Sequence, residues 1–454
     1  LLIARHAAII GGGFSGTLLA INLLRHGSLD VTLIERHPER LAKGLAFGAA
    51  HAGHVLNVRA ANMSAFPDQP GHFVDWLRAR GIGSDISFAT RRDYGLYLSG
   101  LLDAARQETG GRLTILSDSV TCVEEGDESA RLTLASGGTV MADMVALAPG
   151  NLPPHDLPAF KGLSAPAYVS DPWAGDMARG LTDRDNVLLL GSGLTAVDCT
   201  LSLDGAGFRG RIVAMSRRGL SPHHHAPGSA VAPLATRPPI AGSALVQAVR
   251  ARAEAIGWRN AVDELRPFTQ SMWAAASLDE RSRFLRHLRP FWDVHRHRVA
   301  PQVAERLDGM KAQGRLTVVA GKVSAAHDAG DADGSGLRVA WRRRGEDVVE
   351  EQRFARVINC TGPLGDLART RDPLLMRLQD DGLIRPDALS IGIDVDMAGR
   401  AVRRDGAACG HLFVVGPMTR GAHWEIVAVP DIRKQVWSLA RTVTGAHWVE
   451  AEGL

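Results

Sequence analysis

From Ala7 to about Gly150, apolar runs of strand length alternate with stretches of helical period, a pattern that predicts a parallel sheet built from βαβ units. Ala8–Ile10 and Val31–Ile34 read as buried strands, and Thr17–Arg25 as the helix between them. Between Gly150 and Asp171 the chain turns proline-rich, GNLPPHDLPAFKGLSAP, which predicts a linker. A second βαβ pattern follows at Val187–Leu190, Thr195–Leu203 and Arg211–Met215. From about Ser243 to Lys311 the alternation of strands is lost, glycines are few, and Arg, Trp and Leu dominate, so this stretch is expected to be a helical insertion. RLTVVAG, LRVAWRRRG and FARVINCTG restore strand character, and AVPDIRKQVWSLARTV closes the chain as a helix. The fold class is therefore α/β, with two Rossmann-like units and a helical insertion.

Each βαβ pattern carries a glycine motif at its strand-to-helix turn. In the first, Gly11, Gly13 and Gly16 spell G-x-G-x-x-G around Phe14 and Ser15. Gly11 permits the tight turn, Gly13 lets a pyrophosphate approach the backbone, and Gly16 lets helix pack closely on strand. The helix N-terminus then offers free N–H groups and a partial positive charge to phosphates. VTLIER places Glu35 at the end of the next strand, 19 positions after Gly16, followed by Arg36. A carboxylate at that place accepts from ribose hydroxyls. The second motif runs Gly191, Gly193, Leu194, Thr195 and Ala196, and its following strand ends in Ser216, Arg217 and Arg218 rather than an acid. Arginine there suits a 2′-phosphate and favours NADPH over NADH.

Composition narrows the partners. The 454 residues exceed one ordinary core, and 45% hydrophobic with 22% charged residues is ordinary for a globular chain. No charge-free apolar run approaches the ~20 residues that span a bilayer, so no integral membrane segment is expected. The opening LLIARHAAIIGGG runs straight into glycines and reads as a first strand, so a cytoplasmic location is expected. Lys+Arg 52 against Asp+Glu 49 leaves a net charge of +3, with the basic residues dispersed, which argues against nucleic acid. The cysteines Cys122, Cys199, Cys360 and Cys409 form no C-x-x-C or C-x(4)-C pair, so neither a disulfide framework nor a redox dithiol is expected. His295 and His297, two apart on a helix, face different ways, and no metal is expected.

At this point the chain resembles the two-dinucleotide-binding-domain flavoproteins, in which an NAD(P)H domain interrupts an FAD domain. MVALAPGN (Met144–Asn151) and VINCTGP (Val357–Pro363) look like the strand-then-glycine segments where such chains cross between domains, which brings in Gly150 and Gly362. More narrowly, GLAFGAAHAGHVLNVRAANMSAFPDQPGHFVDWL (Gly44–Leu77), RRDYGLYL (Arg91–Leu98), FLRHLRPFWDVHRHRVAP (Phe284–Pro301) and GAHWEIVAVPDIRKQ (Gly421–Gln435) resemble a bacterial group described as FAD/NAD(P)-binding proteins, with hydroxylases, one acting on urate, in its wider circle. The resemblance implies FAD-domain parts at 1–165 and 346–454 and an NAD(P)H domain at 166–345. It implies flavin contacts from Asn57 and Met63, a phosphate or ribityl contact from Arg91 (or Arg92) and Tyr94, and an adenine-side strand at Val120–Val123. Near the C-terminus Gly416 is followed by Pro417 where relatives carry Gly-Asp, so the ribityl-binding acid is in doubt. Trp424 and Glu425 stand just before the closing helix as further site candidates, Trp424 with Asn57 as candidate catalytic residues. The histidines and arginines at His223–His225 and Asp293–Arg298 are expected to form a basic wall for NADPH phosphates or an anionic substrate.

Three fates of a reduced flavin compete. A disulfide reductase needs the cysteine pair that the sequence lacks. A monooxygenase lets O₂ react at the flavin C4a atom in a closed apolar pocket, for which the insertion with Trp258, Trp273 and Trp292 offers a lid. The leading expectation is thus an NADPH-dependent flavoprotein hydroxylase of a small substrate such as urate. The alternatives are a reductase serving a non-oxygen acceptor, or an N-hydroxylase.

Overall fold

A computed structural model describes residues 4–48, 51, 53–164, 166–226, 234–239, 241–330 and 335–446. Its first strands are β1 (His6–Ile10), β2 (Asp30–Ile34), β3 (Leu113–Leu116), β4 (Val120–Glu125), β5 (Ala130–Leu134), β6 (Thr139–Ala142) and β7 (Met144–Leu147). There follow β8 (Tyr168–Val169), β9 (Asn186–Leu190), β10 (Arg211–Ser216), β11 (Leu316–Asp328), β12 (Leu337–Arg343), β13 (Val349–Phe354) and β14 (Arg356–Asn359). β15 (Arg400–Val402) and β16 (Ala408–Val414) complete the set. The chain divides into two units: Leu1–Ala52 with Val58–Leu152 and Leu364–Leu454, and Gly53–Asn57 with Pro153–Pro363.

In the first unit the sheet order is β15-β16-β7-β1-β2-β3, parallel except for β15 at its edge. β1 lies inside because Ala7, Ala8 and Ile9 are apolar on both faces and fully buried, as a parallel strand covered on both sides requires. The antiparallel β4-β5-β6 packs its Val120, Val123, Leu132 and Leu134 into one core with Ile34, Val145, Leu412 and Val414. The Phe14–His26 helix connects β1 to β2, and the Val429–Thr444 helix, with Pro430 in its first turn, ends the unit.

The second unit has the order β13-β12-β11-β10-β9-β14-β8. Its run β14-β9-β10-β11 repeats β7-β1-β2-β3 of the first unit, with the returning strand beside the first strand in both. The two glycine motifs therefore sit at equivalent places of a duplicated fold. The helices expected across 243–311 are present as Gly242–Ile256, Trp258–Asp263, Thr269–Ala275, Leu278–Arg283, Arg289–Arg296 and Pro301–Ala312. The last of these is the crossover between the parallel β10 and β11, since parallel neighbours need such a connection. FARVINCTG is not one strand: a bend at Ala355 separates β13, antiparallel to β12, from β14, parallel to β9. The proline-rich stretch is no linker either. Phe160 and Tyr168 stack at 5.1 Å in the core of the second unit and β8 pairs with β14, because proline removes an N–H without preventing burial.

One buried charge ties the first unit together across a long sequence separation. The Glu125 carboxylate accepts from the main-chain N–H groups of His411 (2.7 Å) and Leu412 (3.0 Å) and pairs with Arg403. Burial opposes its ionisation, but these donors outweigh burial and hold its pKa below the ordinary value. A carboxylate with a depressed folded pKa stabilises above the unfolded value, and that contribution disappears as pH falls through the folded one. Glu125→Ala is accordingly expected to lower stability by about 1–3 kcal/mol at neutral pH. In thermal melts the deficit should shrink as the buffer is taken below the carboxylate range; a deficit constant with pH would show that the charge is irrelevant.

Candidate dinucleotide sites

Gly11 stands at φ +103°, and a Cβ built on it would come 2.4 Å from the Ala148 carbonyl oxygen at the end of β7. A Cβ on Gly16 would lie 1.9 Å from the Gly11 carbonyl oxygen, so bare glycine is what lets the helix start against the strand. Gly13 has ordinary φ, but its bare side faces Gly44, whose Cα would be 3.3 Å from an added Cβ. The Gly44 contact was not legible beforehand, since nothing in the local motif points to a partner 31 residues on.

The second turn follows the same plan with one instructive difference. Gly191 has φ +132°, and an added Cβ would sit 2.3 Å from the Cys360 carbonyl oxygen at the end of β14. Gly193 has an ordinary φ of −82°, and a Cβ there would meet nothing within 4 Å. Neither backbone conformation nor packing demands glycine at Gly193, so the open space above it fits a ligand approaching the backbone. Neither the Phe14–His26 nor the Leu194–Gly205 helix has an acid in its first turn, which leaves both N-termini attractive to phosphate. Leu194 and Thr195 form the first turn of the second helix and are half-buried.

At the strand ends the two units diverge. Glu35 is buried, with its carboxylate accepting from the N–H of Gly12 (2.8 Å) and of His37 (2.9 Å). Each oxygen keeps a lone pair, so ribose hydroxyls can still be accepted. Arg36 pairs with Asp372 at 2.8 Å. In the second unit Ser216 takes part in a hydroxyl network: the Ser192 hydroxyl lies 2.8 Å from it and also meets the Leu220 carbonyl, while the Gly219 N–H donates to Ser216 at 3.0 Å. This network fixes the turn that presents Arg217, which is exposed, and Arg218, whose guanidinium lies over the Phe291 ring at 5.6 Å.

The remaining expectations fare differently. Tyr94 is fully enclosed by Phe47 (ring centroids 4.8 Å), Phe73 (5.0 Å), Tyr97 (5.6 Å) and Phe14 (6.3 Å), and has no surface with which to touch a ribityl chain. Tyr94, Tyr97, Leu98 and Leu102 form the inner stripe of the Arg91–Glu108 helix, a spacing that would have signalled this. Arg91, at the first position of that helix, is half-buried. Met63 is buried, and the Val120 and Val123 side chains belong to the core, which leaves only main chain in β4 for an adenine contact. Asn57 belongs to the second unit, where its carbonyl accepts from His225 Nε2 at 2.9 Å. The first unit thus gathers Gly11, Gly13, Phe14, Ser15, Gly16, Glu35 and Gly150, and the second gathers Asn57 with Gly191, Gly193, Ser216, Arg217 and Gly362. Gly150 and Gly362 both have positive φ, at +67° and +90°.

Gly416, at φ +84°, closes against the Phe14–His26 helix: an added Cβ would meet Ser15 Oγ at 2.6 Å. Its N–H donates to Gln435 Oε1 at 2.8 Å, a partner that sequence reasoning did not identify. Trp424 and Glu425 are both buried, and Glu425 holds φ +64°, a left-handed conformation unusual for a non-glycine residue. Two histidines of the expected basic wall do not act as cations. His223 and His295 stack at 4.9 Å against Trp258, and burial, then neighbouring cations, lowers the pKa of both, which favours neutral rings. Among the described residues no group of three or more His, Cys, Asp or Glu is placed to hold a metal, and no helix is long and apolar enough to cross a membrane.

Residues 8–152 match the family model described as FAD-NAD(P)-binding. No curated protein matches the sequence. Among solved structures, L-lysine 6-monooxygenase from Pseudomonas syringae superposes with a TM-score of 0.68 at 17% identity, covering 98% of this chain and 99% of that one. The ornithine N-hydroxylase KtzI of Kutzneria sp. 744, in a form with reduced FAD, NADP⁺ and L-ornithine, gives 0.65 at 17% identity over 97% and 98%. Thioredoxin reductase from Lactococcus lactis gives 0.56 at 12% identity over 97% and 98%. The architecture is that of two-domain FAD/NAD(P)-dependent oxidoreductases.

Proposed function

We propose that this chain, whose residues 8–152 form a domain of the FAD-NAD(P)-binding kind, is an NADPH-dependent flavin monooxygenase that hydroxylates the nitrogen of a small primary amine. The observation that carries the reading is the near-complete superposition on a lysine 6-monooxygenase and an ornithine N-hydroxylase, at higher TM-scores than on a thioredoxin reductase. The absence of any C-x-x-C or C-x(4)-C pair supports it further. Hydroxylation of a small substrate such as urate, the leading expectation from sequence, gives way to the N-hydroxylase alternative, which the likeness favours.

The residues present fit the two dinucleotides. In the first unit the Gly11–Gly16 turn and the helix start at Phe14 would take the pyrophosphate of FAD, with Glu35 on the adenosine ribose. In the second unit the space above Gly193 would take the pyrophosphate of NADPH, with Arg217 and Arg218 on its 2′-phosphate. Bound FAD supplies the ring that accepts hydride and activates oxygen. The start of the Val429–Thr444 helix carries Asp431 in its first turn and Pro430 without an N–H, so it lends little positive charge to the N1–C2 edge of that ring. Met63, Trp424 and Glu425 remain candidates for lining the flavin ring.

The test is oxygen insertion. Purified protein supplied with NADPH and ¹⁸O₂ should take up oxygen faster in the presence of one member of a panel of L-ornithine, L-lysine and aliphatic diamines. The product should be a hydroxylamine carrying one labelled oxygen by mass. Peroxide as the sole product with every amine would sink the reading in favour of a reductase.

A further inference from the structure

Cys199 and Cys360 are 161 positions apart, and their spacing predicts no pairing. The fold nevertheless brings them together, because β14 returns beside β9 and the Leu194–Gly205 helix follows β9 directly. The Cys360 thiol donates to Cys199 Sγ at 3.5 Å, and both residues are buried. The place they occupy is mechanically specific. Cys360 presents its carbonyl to Gly191, forming the wall behind the second glycine turn, and Cys199 stands on the helix whose N-terminus completes that turn. The first unit has the same architecture without thiols: eight residues after Gly11 comes Leu19, and the carbonyl behind Gly11 belongs to Ala148. Packing at this position is therefore satisfied by apolar side chains, and a dithiol is not required to build the fold.

We infer that Cys199 and Cys360 form a reversible oxidation site, closed to a disulfide by hydrogen peroxide, which distorts the second nucleotide turn. The nucleotide half of this inference rests on the proposed function, which also supplies the oxidant, since reduced flavin that fails to oxygenate a substrate releases peroxide. One cysteine sulfur, as thiolate, attacks a peroxide oxygen, and the O–O bond breaks with loss of hydroxide, which leaves as water after protonation. The second sulfur then attacks the resulting sulfenic acid and expels its hydroxyl as a second water. In balance, two thiols and one peroxide give one disulfide and two waters, the two electrons passing from sulfur to oxygen. Closing the bond shortens the separation from 3.5 Å to about 2.05 Å. That movement draws the end of β14 and the nucleotide helix together at the Gly191 wall, where a Cβ-sized intrusion has no room. The hydrogen bond from Cys360 and burial push the Cys199 thiol well above its ordinary pKa, so closure is slow and demands sustained peroxide. Half-buried Cys122 provides an internal comparison.

The test uses the flavin-loaded full chain treated with hydrogen peroxide, digested without reductant and read by mass. A linked Cys199–Cys360 peptide pair, lost on adding dithiothreitol and absent from Cys199→Ser, is the expected result. NADPH affinity, measured by binding rather than turnover, should fall by about tenfold on oxidation and recover on reduction, while Cys199→Ser stays constant under peroxide. Free thiols at both positions after peroxide has oxidised Cys122 would overturn the site. A linked pair with unchanged NADPH affinity would overturn its effect on the turn. Reduced protein that binds no NADPH at all would instead overturn the proposed function, while the linked peptide would still decide the thiol pair.

Discussion

Gly16→Ala is expected to yield protein that purifies without flavin. The single methyl would stand 1.9 Å from the Gly11 carbonyl oxygen, far inside van der Waals contact, and that oxygen is main chain that no side-chain rotation can move. Relief requires the Phe14–His26 helix to withdraw from β1, which carries the N–H groups away from the pyrophosphate position. The effect should exceed the few tenths of a kcal/mol typical of a surface substitution and reach at least the roughly 1–3 kcal/mol of core overpacking. Flavin absorbance per chain and the melting temperature are the readouts. Gly100→Ala is the control: it lies in the Arg91–Glu108 helix with nothing within 4 Å of an added Cβ, and there alanine should stabilise by about 0.5–1 kcal/mol. A yellow, fully loaded Gly16→Ala protein would remove the first unit as the flavin holder.

The second large effect falls on nucleotide choice. Arg217→Ala combined with Arg218→Ala is expected to raise KM for NADPH by ten- to a hundredfold and to leave KM for NADH unchanged. A charge-assisted hydrogen bond is worth about 1.5–3 kcal/mol, and each 1.4 kcal/mol is a factor of about ten. Arg217 is exposed at the end of β10, so its loss removes a charge without disturbing the core. Arg218 contributes less cleanly, since its guanidinium also rests over Phe291. Stopped-flow reduction of the flavin by each nucleotide separates the arms. Equal weakening toward NADH and NADPH would place the arginines elsewhere than on the 2′-phosphate.

What could be read from sequence was whatever depends on neighbouring residues. The roles of Gly11 and Gly16 follow from a local strand–turn–helix geometry, and the fold sets both against main-chain oxygens as such a turn requires. Glu35 was legible for the same reason, because its place at a strand end is set by the length of one helix and one strand. The failures share a cause as well. That Cys360 backs Gly191, or that Cys199 lies beside it, depends on a strand returning after more than a hundred residues, and no local pattern records where a chain returns. Tyr94 was expected at a ribityl contact from the resemblance alone, while its position on the inner helix stripe places it in the core. His223 and His295 were read as charges, whereas burial first and neighbouring cations second favour their neutral forms.

The order of strands in the first unit also bears on how the protein is made. β16 completes the edge of β7, and the closing helix covers the Phe14–His26 helix, yet both emerge from the ribosome only after the whole of the other unit. Until then the backbone of Met144–Leu147 presents a bare edge, able to recruit a stray strand from another nascent chain. Pro153–Pro363, by contrast, is one uninterrupted length of polypeptide and can collapse as soon as it is out. A frameshift late in the gene would therefore spare the second unit while leaving the first half-built.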